Sequence, residues 1–315
     1  TRSDVQVKTL VLPLTDDRVW WRTFTKDSMG SFYAAGSTRE GIAKNAVNDG
    51  GNTKLTKHNA AGTQLWTQLL ETEMTDTVVD LITDGDGNLY VLGTTNGFLG
   101  QSGGANAGGK DMFLVKIDSE GNILWSRQWG TSLDDEAIGQ AFNGHGELLL
   151  LGTTYGSFDG VLPTYEQDAF LIKLDGDGNE MWLKTDHTIS SPRAIAIAPQ
   201  NEIVIAGGYG SYASGATGNC LIRWSAYSES GDSLWMDTVA EGRNKFDSNV
   251  GDLLIDPQGN LYLTINWDSE WWQASSTVLS KYSSSFDLPP PVLTVDPYSY
   301  DPVASRVTLS GQRSS

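Results

Sequence analysis

The chain has 315 residues, with 21 Lys and Arg against 39 Asp and Glu, a formal charge of −18, and 39% apolar residues. A surface this acidic repels phosphate backbones and anionic membranes, which excludes nucleic-acid binding and membrane-surface association as leading functions and favours cations or neutral polar ligands. Apolar runs such as 148–151 and 203–206 fall far below the roughly 18 residues that span a bilayer, so a soluble chain without membrane insertion is expected.

Residues 4–12, DVQVKTLVL, open the chain as a β-prone segment. A turn and strand follow at 27–36 (DSMGSFYAAG), and the same pattern returns as DGDGNLYVLG (84–93), GHGELLLLG (144–152), PQNEIVIAGG (199–208) and PQGNLYLTI (257–265). A second signature tracks it. DMFLVKIDSEGNILW at 111–125 recurs as DAFLIKLDGDGNEMW at 168–182, and more eroded as NTKLTKHNAAGTQLW at 52–66 and GNCLIRWSAYSESGDSLW at 218–235. Its tryptophans, Trp66, Trp125, Trp182 and Trp235, are spaced by 59, 57 and 53 residues. Each unit holds four short apolar runs separated by Gly, Asp and Asn turns, the pattern of a four-stranded antiparallel propeller blade with strands a to d from axis to rim. In the third unit the spacing predicts a over 135–142, b over 146–152, c over 169–174 and d over 180–185. Glycine, at 35 residues, and tryptophan, at 11, fit all-β structure with tight turns and large packing plugs. No helical periodicity is present.

Strands a, b and c recur five times but d only four, and no GNxLW element follows the fifth c, TVLSKY at 277–282. Residues 4–12 fit the missing d. The expectation is therefore an all-β, five-bladed propeller over residues 1–283 whose last blade is closed by the N-terminal strand, which removes open sheet edges. A partial array from a larger ring is the competing reading. Residues 284–315 form a Pro/Ser-rich tail with three prolines at 289–291 acting as a stiff spacer toward an anchor or assembly partner. Cys220 is the only cysteine, which rules out an internal disulfide framework and cysteine-rich zinc patterns, and it reads as a small buried apolar residue. The sequence opens at Thr1 with neither an initiator Met nor a charged-then-apolar leader, as in a processed secreted chain or an excised fragment.

The string DAFLIKLDGDGNEMW and the neighbouring GELLLLGTT resemble the bacterial SBBP β-propeller repeat. The resemblance extends over about 280 residues, strongest in the second and third units. It implies a part of a secreted or surface-attached bacterial protein and no single reaction, since fold does not fix function. The GNxLW turn also looks like the repeats of quinone-dependent propeller dehydrogenases and related assembly lipoproteins, which have more blades than this chain supplies.

With strand a running from the upper face to the lower, short turns lie below and the longer b–c and d–a loops above, so binding is expected on the upper face. Acids precede four of the five a strands: Asp16 and Asp17, Asp76, Asp134 and Asp135, and Asp247. They either ring the axial mouth, attracting a cation or sugar hydroxyls, or cap their own turns. Trp267, Trp271 and Trp272 sit in a fifth-blade loop next to Trp20 and Trp21 of the first, and Tyr155, Tyr209 and Tyr212 lie in comparable loops; exposed, these rings suit sugar faces or partner aromatics. The DGDGN turns at 84–88 and 175–179 resemble half of a calcium loop, but Asp, Gly and Asn are equally what a tight hairpin demands. Calcium is compatible with the charge, and no other cofactor is indicated.

Three histidines, His58, His145 and His187, are too scattered in the predicted topology to form a triad, and no nucleophile elbow, P-loop or dinucleotide fingerprint is present. One catalytic arrangement survives: Asp17, Asp80 and Glu136 on successive inner strands, as carboxylates of a glycoside hydrolase resembling the five-bladed arabinanases. The leading expectation is a secreted or cell-surface, non-catalytic module that recognises a glycan or a protein partner. A structural subunit of an extracellular assembly is the second reading, and the glycosidase the third.

Overall fold

The computed structural model describes residues 19–38, 51–72, 74–99, 106–163, 167–209, 221–241, 247–268 and 276–282. They form antiparallel sheets, and among them there is no helix. The chain divides into two compact units, residues 1–137 and 138–315. The first holds one sheet of β1 (Val19–Lys26), β2 (Phe32–Thr38), β3 (Asn52–His58) and β4 (Gln64–Leu70), and another of β5 (Asp76–Thr83), β6 (Leu89–Thr95), β7 (Asp111–Ile117) and β8 (Ile123–Trp129). The boundary falls inside β9 (Asp135–Phe142), which pairs in a sheet with β10 (Leu148–Thr154), β11 (Asp168–Leu174) and β12 (Glu180–Asp186). The second unit also contains the sheet of β13 (Ser191–Ile197), β14 (Ile203–Tyr209), β15 (Leu221–Tyr227) and β16 (Ser233–Glu241), and the three strands β17 (Asp247–Ile255), β18 (Leu261–Asp268) and β19 (Ser276–Tyr282). Strands a to d of the third repeat coincide with β9 to β12 to within two residues. Residues 4–12, Cys220 and the tail lie outside the described residues.

Within each unit the core sits between consecutive sheets. In the first, Tyr33, Leu55 and Leu70 meet Val78, Leu89 and Phe113. In the second, Leu149, Leu151 and Leu171 meet Ile203 and Ile205, and Val204, Ile222 and Trp224 meet Val250 and Leu263. Strands b and c read as nearly continuous apolar runs because both of their faces are covered, each side chain contributing about 1.5–3 kcal/mol of burial.

Repeated residues have repeated mechanical reasons. Strand a carries a bulge in each of the four sheets for which its pairing with strand b is described, between Trp21 and Thr23, Val78 and Asp80, Pro192 and Ala194, and Val250 and Asp252. Opposite the first, second and third of these bulges named along the chain stand Gly36, Gly93 and Gly207, where a Cβ would come 2.4–2.5 Å from the carbonyl of Trp20, Thr77 and Ser191 respectively. The bulge drives strand a toward strand b, and only glycine leaves room.

The DxxGN turns close on themselves. Asp84 Oδ1 accepts from the N–H of Asp86 (3.0 Å) and of Asn88 (2.8 Å), while Oδ2 accepts from Asn88 Nδ2 (2.8 Å) and the Tyr90 hydroxyl (3.3 Å). Asp118, Asp175 and Asp256 repeat the pattern with Asn122, Asn179 and Asn260. The Asn122 and Asn179 amides and the turn N–H groups hold the Asp118 and Asp175 carboxyls below the usual range. Both oxygens thus serve hairpin geometry, the fourth turn residue being a glycine with positive φ or, once, Asn201 at φ 66. Replacing Asp84 by Ala removes four acceptor contacts, and equilibrium urea denaturation is expected to show a loss of about 1–2 kcal/mol; an unchanged midpoint contradicts this role.

The GNxLW tryptophan is a latch. Trp66 on β4 donates from Nε1 to the Ser119 carbonyl at 3.1 Å, and Lys57 on β3 donates to the same oxygen at 2.9 Å. In the second unit Trp182 and Lys173 share the Glu229 carbonyl, each at 3.2 Å. The indoles lie over Gly121 and Gly231, where a Cβ would stand 3.2 Å from the ring. Lysine and tryptophan of one sheet thereby grip the c–d turn of the next.

Candidate functional site

Antiparallel order puts the a–b and c–d turns at one end of each sheet and the b–c and d–a connections at the other. The first, the turn end, is consumed by the hydrogen bonds above. The second, the loop end, carries the longer segments.

In the first unit the loop end is framed by buried acids. Asp76 is fully buried and accepts from Thr72 N (2.8 Å), Thr72 Oγ1 (3.1 Å) and Thr95 Oγ1 (2.5 Å). Desolvation raises its pKa against the pull of those bonds. Asp135, equally buried, accepts at Oδ2 from Thr131 N (2.5 Å) and Thr131 Oγ1 (2.9 Å). Asp111 accepts from Ala107 N (2.8 Å) and Gln128 Nε2 (2.9 Å), fixing the start of β7. The neighbouring Asp134 is half exposed, accepting from Lys110 N (3.0 Å) and lying 3.9 Å from the Lys110 ammonium, which also pairs with Glu136.

In the second unit the loop end of the third repeat gathers a histidine between two carboxylates. His187, just past β12, places Nδ1 2.6 Å from Asp168 Oδ2 and Nε2 3.0 Å from Asp159 Oδ2. Asp159 belongs to the loop after β10, which also carries Tyr155, Val161 and Leu162 on its exposed side, while Phe158 packs on Phe170 at 4.9 Å. Desolvation lowers the His187 pKa, but the bonds to both aspartates outweigh it and the net shift is upward. Burial raises Asp168 and His187 opposes it; the Val161 N–H, ahead of His187, holds Asp159 low. Beside them Asp186 accepts from Thr188 N (2.7 Å) and from the Tyr227 hydroxyl.

The residues singled out from sequence distribute unevenly. Asp76 and Asp135 turn inward as turn caps, leaving Asp134 as the accessible acid of this group among the described side chains. Trp20 and Trp21 lie within β1; Trp20 is 59% exposed and Trp21 half-buried. Tyr155 is partly exposed at the loop end. Tyr209 ends β14 with the Arg223 guanidinium 3.5 Å above its ring. Asp247 of β17 stands opposite Asp268 and Trp267 of β18 opposite Ser248, but the side chains of Asp247 and Trp267, like all of Asp16, Asp17, Tyr212, Trp271 and Trp272, lie outside the described residues. Of the carboxylates considered for catalysis, Asp80 Oδ1 accepts from Leu81 N at 2.8 Å and Glu136 is paired with Lys110. His58 ends β3, buried against Thr56 Oγ1 (3.1 Å), and His145 contacts Glu229 at 3.0 Å at the turn end. Among the described residues no group of three or more His, Cys, Asp or Glu is placed to hold a metal ion. Sequence reading passed over Asp159 and Asp168, although Asp168 and Asp111 open the same recurrent DxFL string.

Residues 65–98, running from β4 of one sheet through β5 and β6 of the next, carry the decisive likeness. They match the SBBP beta-propeller repeat. The SBBP match therefore begins at the latch strand of one sheet and ends beyond the bulge and glycine of its successor, the features that recur in geometry along the chain. A curated relative, the regulatory protein FlaEY of Caulobacter vibrioides, is 25% identical over 191 residues, covering 52% of this chain and 20% of that protein. The chain thus spans about a fifth of the length of the curated relative it matches. Among solved structures, a Dyadobacter fermentans protein of unknown function aligns over 89% of this chain and 88% of its own, with TM-score 0.51 and 11% identity, a likeness of fold. A Penicillium chrysogenum alpha-L-arabinanase aligns over 85% and 81% with TM-score 0.49 and 10% identity.

Proposed function

We propose that this chain is a secreted or cell-surface recognition module, non-catalytic, that binds a glycan or a protein partner through the loop ends of its sheets. The observation that carries the reading is the contrast between the two ends. The turns spend their polar groups on themselves, whereas Phe98, Leu133, Tyr155, Val161 and Leu162 stand partly or largely exposed on loops tethered by buried aspartates. Rigidly framed loops with exposed apolar and aromatic groups suit recognition. The five sheets are read as blades of one ring, with residues 4–12 adding the fourth strand beside β19 and the tail leading to an assembly partner. Calcium is compatible with the net charge of −18, but a site for it would need ligands beyond the described carboxylates, which form no metal-binding group.

A glycan array with and without calcium tests this. Binding that falls at least about tenfold in Trp271→Ala, Trp272→Ala or Tyr155→Ala, roughly the loss of one stacked ring, is expected. Absence of any glycan signal moves the proposal to its protein-partner arm, and absence of both glycan binding and any partner dependent on those rings contradicts it.

A second reading, a structural subunit of an extracellular assembly, is favoured by one repeated feature: the residue before each of the recurring tryptophans Trp66, Trp125, Trp182 and Trp235, namely Leu65, Leu124, Met181 and Leu234, is an exposed apolar side chain on an outer strand. For the glycosidase reading, turnover abolished by Glu136→Gln would be the deciding result.

A further inference from the structure

The imidazole of His187 faces a carboxylate oxygen at each nitrogen, Asp168 Oδ2 at 2.6 Å and Asp159 Oδ2 at 3.0 Å. Ionised carboxylates only accept hydrogen bonds, and a neutral imidazole has one N–H and one lone pair. Only the imidazolium donates to both. On losing its proton the ring must turn a lone pair toward one of the two oxygens, and the two aspartates are not equivalent. Asp168 is 1% exposed, and the side chain of Asp159 is 41% exposed. The buried acceptor has no water to replace the ring N–H; the exposed one has.

We propose that His187 is a proton-operated clasp on the 155–163 loop: as imidazolium it ties Asp159 to Asp168, and when neutral it keeps Asp168 and releases Asp159. Release frees the loop tip rather than the whole loop. Phe158 stays packed on Phe170, and Gly156 N still donates to Thr154 Oγ1 at 3.0 Å. Asp159 Oδ1, which accepts from Val161 N at 2.9 Å, moves with the tip. Gly160, with φ +88 and no atom within 4 Å of a Cβ built on it, gives that tip room. The side chains carried along are Val161 and Leu162, 55% and 72% exposed. Loss of the proton thus loosens an apolar tip that a partner would meet, although the clasp itself is independent of what the loop binds.

The charged groups around the ring agree with this direction. Asp159 comes from the loop and Asp168 from β11. Behind them Asp186 of β12 is buried, bonded to Thr188 and to Tyr227 of β15, whose phenol burial and Asp186 push far above its usual range. Arg223 of β15 donates to the Thr188 carbonyl at 3.2 Å, next in sequence to His187. The upward shift of His187, with the aspartate bonds overcoming desolvation, fits the imidazolium as the favoured folded form. A raised histidine pKa contributes stability that is complete below the ordinary histidine pKa and lost as pH rises through the folded one.

The test is carried out on the intact chain, by imidazole 15N shifts and amide hydrogen exchange across pH. Protection of the Val161 amide, corrected for intrinsic exchange, is expected to fall about two- to fivefold as pH rises through the His187 midpoint, the scale of one half-exposed ion pair. The step should vanish in His187→Gln, and Asp159→Asn should lower the His187 midpoint. Val161 protection equal on both sides of the midpoint overturns the clasp, as does a midpoint indifferent to Asp159→Asn. Nitrogen shifts showing that the neutral ring above the midpoint keeps its proton on Nε2, donating to Asp159, also overturn it. The exchange step in the unsubstituted chain decides the matter even where a variant fails to fold.

Discussion

Gly93→Ala is expected to cost about 3 kcal/mol, the upper range for overpacking a filled site. A Cβ at this position would lie 2.4 Å from Phe113 Cζ and 2.4 Å from the Thr77 carbonyl. The ring has nowhere to go because Phe113 is fully buried, and the carbonyl belongs to a strand already displaced by the bulge between Val78 and Asp80. Adding Phe113→Leu should return only part of the loss, since it clears the ring and not the backbone. Gly85→Ala, which meets nothing within 4 Å, is the control and should stay within about 0.5 kcal/mol of the parent. Equilibrium denaturation in urea measures all three; a Gly93→Ala protein as stable as the control contradicts the close approach of strands a and b.

Trp182→Ala is expected to cost about 3 kcal/mol by leaving Gly231 uncovered and the Glu229 carbonyl with one donor fewer. Lys173→Met, which keeps the volume and removes the ammonium, isolates the polar half of the latch. Lys173 is buried and pairs with Glu147 at 2.5 Å, and the Glu147 side chain is 22% exposed, so the loss is about 2 kcal/mol, below that of a fully buried pair. Its pH dependence has a definite sign. The hydrogen bond from Lys173 is the leading cause that holds the Glu147 carboxyl below its ordinary value. The pair therefore contributes stability above the unfolded glutamate pKa, and that contribution disappears as pH falls through the folded one. The stability gap between parent and Lys173→Met should narrow from neutral pH toward acid. A gap that stays constant, or widens, contradicts the ion pair as the source, whereas Trp182→Ala should show no comparable narrowing.

These two positions also mark what was legible in the sequence. The DxxGN turns, the glycine ending strand b and the GNxLW strand recur in register, and local chemistry fixes each, so β9 to β12 fall where the third repeat predicts them. The acids before strand a were legible as residues but not as a site. Asp76 and Asp135 each stand four residues after a threonine, Thr72 and Thr131, whose N–H and hydroxyl turn the carboxylate inward. That Thr-x-x-x-Asp spacing is a turn-cap signal, and it distinguishes them from Asp134, which has no threonine at that spacing and remains accessible. The His187 cluster was hidden for a different reason. Its partners are 19 and 28 residues away; Asp168 opens a recurring string, but Asp159 and His187 lie outside it, and only the return of β11 and β12 to the same sheet end brings the three together. Local periodicity carries no information about such a meeting. The latch lysines, Lys57 and Lys173, sat inside the recurring strings, yet their targets in the following sheet are carbonyl groups, which sequence does not distinguish from any others.

The proposed ring rests on the last sheet, whose three strands β17, β18 and β19 would take residues 4–12 as a fourth. Cross-strand nuclear Overhauser contacts between Hα atoms of residues 4–12 and of 276–282, measured on the full chain, address this without altering the protein. The account predicts a continuous antiparallel ladder between the two segments. Their absence, or a ladder joining residues 4–12 to any other strand, would contradict closure and with it the reading of five blades in one ring.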